Sequence, residues 1–307
     1  MKPIVRVAGA ALLCGTALLA LSSTDGHEST PSLRARTASV GDLRLRFVRA
    51  GAGTPVVLLH GYGESLLSWQ MVFDRLARDA DVIAVDLPGF GLSSKPASGY
   101  TADSMATVVS AFLDRLDLRR VVLVGHSLGG VVATAVAVQD PSRVLGLALV
   151  DAALVTPWAL TETSDSPRTG ASVRRVIAEY ERLRGRFGGV HDGDWMAEDS
   201  AAAAYQPSSD PAYASALAAV LREFDFAFLT PDGARRLTMP VKLIWGALDP
   251  VVPVQVGRAL AERLPDATLM VLPRTWHRPQ TERPTEVARI LSGFVRLIGR
   301  RGAGSGP

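Results

Sequence analysis

Ser127 lies in Gly125-His126-Ser127-Leu128-Gly129, directly after the branched apolar run Val121–Val124. A Gly-x-Ser-x-Gly segment between a buried strand and a helix makes a nucleophile elbow, a strained turn that thrusts the hydroxyl outward. Glycine is needed there because side chains would collide with the neighbouring strand and helix. A helix opening at Leu128 also aims its N-terminal dipole and N–H groups at the serine, which favours developing negative charge. The competing reading is a glycine-rich turn with a capping serine; the strand before it and the helix after it favour the nucleophile.

A serine hydroxyl reacts only with a base beside it. His277, in "VLPRTWHRPQTERP", is the only histidine after the last apolar strand, where a loop can carry it over the sheet. His126 adjoins the serine, but the elbow is expected to turn it away. His60, in "LLHGYG", is expected to brace a loop near the anion site, His191 to be solvated or structural, and His27 to lie in a spacer. The base needs an acid that fixes its tautomer and stabilises its charged form. Two carboxylates end apolar runs after Ser127: Asp249 in "LIWGALDPVVP" and Asp151 in "LALVDAA". Asp249, with a Pro-containing turn behind it, is the first choice and Asp151 the competitor. Asp86, in "VDLPGFG", precedes the serine and is expected to hold its turn through Gly89. The tetrahedral oxygen of an acyl transfer needs two preorganised donors. The backbone N–H groups of Leu128 and of Tyr62, the latter flanked by Gly61 and Gly63, are the candidates.

These residues need strand ends to hold them. "PVVLLHG", "VIAVDLPGFG", "VVLVGHS", "VLGLALVDA", "VKLIWGALD" and "ATLMVLP" are apolar runs separated by helix-like stretches near 67–78, 102–116, 128–138 and 254–264. Such alternation predicts an α/β fold with a mostly parallel central sheet and helices on both faces. "LRLRFVRA" alternates instead and predicts an edge or antiparallel strand. Residues 285–298 read as a closing amphipathic helix. The interval of about 154–237 holds no strong strand and predicts a helical cap inserted over the carboxyl ends of the strands, where sites in such sheets lie. The hydrolytic domain is expected over 40–299, between a flexible spacer at 23–39 and a flexible tail at 300–307.

Lys2 and Arg6 precede an apolar run from Val7 to Leu21, followed by small polar residues. This is the layout of a signal peptide over residues 1–22, with cleavage expected after Ser22. The alternative is a retained membrane anchor, although the run is short of the roughly 20 residues a spanning helix needs. Both readings imply an exported protein. The single cysteine, Cys14, lies in this leader, so disulfides cannot hold the folded part together. The scattered histidines show no zinc-ligand spacing. A net charge of +3, without a basic run interleaved with aromatics, argues against a nucleic-acid partner. The expected partner is a small-molecule substrate, and the oligomeric state is not legible.

Taken together, "HGYGES", "DLPGFGLS", "GHSLGG", "GALDPVVP" and "WHRPQTERP" resemble the alpha/beta-hydrolase superfamily, in the group with a cap after the sixth strand. The resemblance covers about 40–298. It implies Ser127 as nucleophile, Asp249 as acid, His277 as base, and Tyr62 and Leu128 as oxyanion donors, with no metal or cofactor. Trp276 departs from the pattern, since glycine often precedes the histidine. A serine nucleophile disfavours the dehalogenase and epoxide-hydrolase branches, which use aspartate. The expected reaction is hydrolysis of a carboxylic ester of a small or medium apolar substrate. The alternatives are carbon–carbon bond hydrolysis, cofactor-free perhydrolysis, or a non-catalytic ligand-binding module.

Overall fold

Val122 and Leu123 are successive residues of one strand, and each is buried in a different core. Side chains alternate across a strand, so a continuous apolar run must be covered on both faces. Leu123, Leu147 and Leu149 meet Val109, Phe112, Val131 and Val136 on one face, while Val122, Val124, Ala148 and Val150 meet Val72, Phe73, Leu291 and Phe294 on the other.

The computed structural model describes residues 33–154, 210–226 and 228–303. Its strands are β1 (Arg36–Val40), β2 (Leu43–Ala50), β3 (Pro55–Leu59), β4 (Asp81–Val85), β5 (Val121–His126), β6 (Val144–Val150), β7 (Val241–Gly246) and β8 (Ala267–Leu272). The described helices are α1 (Gln70–Leu76), α2 (Ala102–Arg115), α3 (Leu128–Gln139), α4 (Pro211–Glu223), α5 (Pro231–Arg236), α6 (Val254–Arg263), α7 (Pro279–Glu282) and α8 (Pro284–Ala303). The strands form one sheet in the order β1-β2-β4-β3-β5-β6-β7-β8. β2 runs antiparallel to β1 and β4; the pairs from β4 through β8 are parallel. The strand order reverses at β3, which lies between β4 and β5. A crevice opens at the carboxyl ends of the strands around such a switch point.

The expected mostly parallel α/β sheet is present. Residues 36–39, expected in the spacer, belong instead to β1, which pairs Arg36 with Phe47 and Val40 with Leu43. Only Ala38 and Val40 of this strand face inward, an alternation too short to read from sequence. "LRLRFVRA" is antiparallel as expected but lies second in the sheet. The helix expected from Leu67 starts as a 3-10 turn, Leu66–Trp69, capped by the Ser65 hydroxyl. α8 extends to Ala303, past the expected end of the domain. The expected signal peptide, and residues 155–209 of the expected cap, lie outside the described residues; α4 and α5 occupy the described remainder. No helix among the described residues is long and apolar enough to cross a membrane.

Candidate active site

Ser127 follows β5 with φ 49° and ψ −115°. An L residue in such a conformation costs about 1–3 kcal/mol and persists only where its surroundings over-determine it. Here the Ser127 amide donates to the Val150 carbonyl at 3.0 Å, and the Ser127 carbonyl accepts from Gly130 at 3.0 Å and Ala153 at 3.2 Å. A Cβ at Gly129 would stand 2.4 Å from the carbonyl oxygens of both Leu59 and His60. Glycine therefore lets the first turn of α3 rest on the end of β3. Leu128 opens the helix, so its amide has no intrahelical acceptor.

His277 arrives from the loop after β8. Its Nε2 lies 3.1 Å from Ser127 Oγ, and its Nδ1 lies 2.7 Å from Asp249 Oδ2. A nitrogen facing a carboxylate carries the proton, so Nε2 is the acceptor and the serine hydroxyl donates to it. Asp249 is itself oriented: Oδ1 accepts from the amides of Val251 at 2.8 Å and Val252 at 3.0 Å, leaving Oδ2 for the histidine. Trp245 donates from its indole to the Val252 carbonyl and anchors the same turn. Glu282 accepts from the amides of Trp276 and Arg278, the two residues that flank His277. Of the five residues expected at the site, Ser127, His277 and Asp249 fall together in one hydrogen-bonded chain, while Leu128 follows Ser127 as the first residue of α3 and Tyr62 lies in the loop after β3.

The histidine loop lies directly against β7, where a Cβ at Gly246 would stand 2.0 Å from the Trp276 carbonyl oxygen. Overpacking of this kind typically costs about 1–3 kcal/mol. Gly246→Ala is expected to lower Tm by several degrees and to reduce kcat by moving His277 off Ser127. An unchanged melting curve and an unchanged kcat would show that the loop does not depend on this contact.

Asp151, the competing acid, follows β6 with φ 43°; its carboxylate lies within 4.8 Å of a His277 nitrogen, but it is Asp249 that bonds the histidine. Its Oδ1 accepts from the Gly246 amide at 2.9 Å, while Oδ2 is buried with no hydrogen-bond partner among the described residues. Burial, reinforced by the charge of Asp249 and opposed by the Gly246 hydrogen bond, raises its carboxyl well above the usual range. Burial thus favours the protonated form of Asp151 beside the carboxylate that holds the histidine. Asp151, Asp249 and His277 are also the one grouping of three metal-ligand types among the described residues. With Nδ1 and Oδ2 joined to each other and protonation favoured at Asp151, the set suits a protonated network better than a cation.

The loop after β3 is held by groups that sequence reading assigned elsewhere or missed. His60 is buried, and that burial lowers its pKa despite nearby carboxylates. The neutral ring donates from Nδ1 to the Gly61 carbonyl and accepts at Nε2 from the Leu87 amide, so it braces the loop as expected. Asp86 is structural as expected, but it holds its turn by accepting from Leu92 and Leu66. Gly91, not Gly89, is the glycine pressed against its carboxylate. Tyr213 on α4 donates its hydroxyl to the Gly63 carbonyl, and Tyr62 donates its hydroxyl to the Leu217 carbonyl on α4. His126 does not simply turn away. Its ring is tilted over that of His277 at 5.0 Å and bonded to Glu64 and the His277 carbonyl. Glu64 and Arg278 stood inside "HGYGES" and "WHRPQTERP", but nothing in those motifs pairs one with the other.

Comparison with known proteins agrees with this geometry. Residues 54–284 match the family model for the alpha/beta hydrolase fold. A 2-hydroxymuconate semialdehyde hydrolase of Pseudomonas sp. (strain CF600) is 29% identical over 277 residues, covering 87% of this chain and 95% of that one. The structure of Est816, described as an N-acyl homoserine lactone degrading enzyme, superimposes with TM-score 0.68 at 27% identity, covering 84% of this chain and all (100%) of that one. A thermophilic esterase from Thermogutta terrifontis superimposes with TM-score 0.64 at 26% identity, covering 87% and 99%. The eight-stranded sheet, the elbow at Ser127 and the matched residues agree: the chain is a hydrolase and belongs to the alpha/beta hydrolase family.

Proposed function

We propose that this protein is a serine hydrolase that cleaves a carboxylic ester of a small or medium apolar substrate, with Ser127 as nucleophile, His277 as base and Asp249 as acid. The observation that carries the reading is the continuous chain from Ser127 Oγ to His277 Nε2 at 3.1 Å and from Nδ1 to Asp249 Oδ2 at 2.7 Å. In that chain, His277 Nε2 takes the serine proton as Oγ attacks the ester carbonyl. The resulting oxyanion is met by the amides of Tyr62 and Leu128. The imidazolium then protonates the departing alkoxide, leaving an acyl group on Ser127. Water, deprotonated by His277, attacks that acyl group and releases the acid with Ser127 restored. Relatives described as an esterase and as a lactone-degrading enzyme support the ester reading. The leader adds the proposal of export.

The second reading, hydrolysis of a carbon–carbon bond, is favoured by the likeness to the semialdehyde hydrolase. Purified protein assayed on p-nitrophenyl esters of increasing acyl length, beside a vinylogous 1,5-diketone, separates the two. Ester turnover with a defined chain-length optimum is the expected result. Diketone cleavage without ester turnover would replace the first reading with the second.

A further inference from the structure

The site rests on three loops that are far apart in sequence, and one buried cluster joins them. Glu64, from the loop after β3, accepts the Gly61 amide on Oε2 at 3.0 Å and the His126 ring on the same oxygen at 3.0 Å. His126, the last residue of β5 and the neighbour of Ser127, reaches the His277 carbonyl with Nε2 at 2.6 Å. Arg278, the residue after His277, places Nε 2.8 Å from Glu64 Oε1 in a charge contact. Side-chain exposure is 2% for His126, 3% for Glu64 and 10% for Arg278.

The hydrogen-bond inventory is informative. Both nitrogens of His126 face oxygens that can only accept, a carboxylate and a peptide carbonyl. Burial by itself would raise the Glu64 carboxyl, but Arg278, His126 and the Gly61 amide outweigh it and hold Glu64 well below the usual range. The cluster is therefore one carboxylate between an imidazole ring and a guanidinium, closed off from water, where such contacts are strong and a missing partner is costly. The other ionisable groups close to His126 are His60 and His277.

We propose that Glu64, His126 and Arg278 are positioning residues: together they fix the backbone of His277 above Ser127 and the approach of the Tyr62 loop to the same point. Each contact acts through another residue. The carbonyl of His277 is gripped from below by His126 while its chain neighbour Arg278 is drawn toward Glu64. Glu64 in turn fixes the amide of Gly61, next to Tyr62. One carboxylate thereby sets the distance between the base and the proposed oxyanion donors. This rests on the serine-hydrolase reading of the site.

The test uses Glu64→Gln and Arg278→Met, which nearly preserve volume and remove the charge pair. Displacement of a reacting group by about 1 Å can cost 10²-fold. Each variant is expected to lose about 10- to 100-fold in kcat, with KM within about twofold and Tm above the assay temperature. The rate at which a fluorophosphonate labels Ser127 should fall in parallel, since labelling needs the base and the oxyanion donors but no particular substrate. Labelling and kcat as fast as wild type, with only Tm lowered, would reduce the cluster to a structural role and overturn the proposal. If one variant fails to fold, the other decides. Failure of wild-type protein to react with the fluorophosphonate would instead sink the underlying reading of Ser127.

Discussion

Ser127→Ala is expected to lower kcat by about 10⁴–10⁶-fold while leaving the melting temperature almost unchanged. The activity loss follows because Oγ is the attacking atom and no other hydroxyl is bonded to His277 Nε2 among the described residues. The preserved stability follows from the backbone. Alanine keeps the same Cβ at φ 49°, so the strain of the elbow is carried equally by both residues and only one part-buried hydrogen bond is lost. Ser127→Gly separates the two effects. Glycine adopts positive φ without the Cβ penalty, so this variant should be equally inactive yet melt at or above the wild-type temperature. Circular dichroism melts beside ester turnover check both statements. Retention of more than about a tenth of wild-type kcat by Ser127→Ala would remove Ser127 from the reaction.

The second expected result is a contrast between two aspartates a few ångströms apart. Asp249→Asn should cost about 10⁴-fold in kcat. The reason lies in which oxygen is committed: Oδ1 already accepts from Val251 and Val252. An asparagine keeps its oxygen there and turns its NH₂ toward His277 Nδ1. His277 must then accept at Nδ1 and carry its proton on Nε2, the tautomer that cannot take the proton of Ser127. Asp151→Asn, which mimics the protonated form that burial favours, should leave kcat within about threefold.

The stability of Asp151→Asn should also depend on pH. Burial, reinforced by Asp249, raises the Asp151 carboxyl well above the usual range in the folded chain, whereas an unfolded aspartate ionises near pH 4. Between those two points the folded state binds the extra proton. The stabilising contribution is therefore full below about pH 4 and declines as pH rises toward the folded value, by at most about 1.4 kcal/mol per unit. Asparagine has no such dependence. Its Tm relative to wild type should move in the favourable direction between pH 4 and pH 8. A Tm difference that stays flat over this range, or an Asp151→Asn variant as inactive as Asp249→Asn, would contradict the assignment.

Much of this was legible before any coordinates. The runs "VVLVGHS" and "VKLIWGALD" have no polar face, so they had to be covered strands, and the residues that follow them had to emerge at one rim of the sheet. That logic, with the resemblance, picked out Ser127, Asp249, His277, Tyr62 and Leu128, because local pattern and chain order are sequence properties. Strand β1 escaped because two inward residues out of five make no periodicity.

What only the tertiary structure decided are relations across long stretches of chain. Asp249 rather than Asp151 reaches His277 because the turn after β7 commits one of its oxygens and frees the other. Gly246 is glycine because the Trp276 carbonyl passes over it. His126 pairs with a carboxylate 62 residues before it and a carbonyl 151 residues after it. Burial changes what these groups are: it favours the protonated form of Asp151, while Arg278, His126 and the Gly61 amide outweigh it at Glu64. A sequence states which groups are available; their distances and their loss of water, which set their chemistry, arise when the three loops close over the switch point at β3.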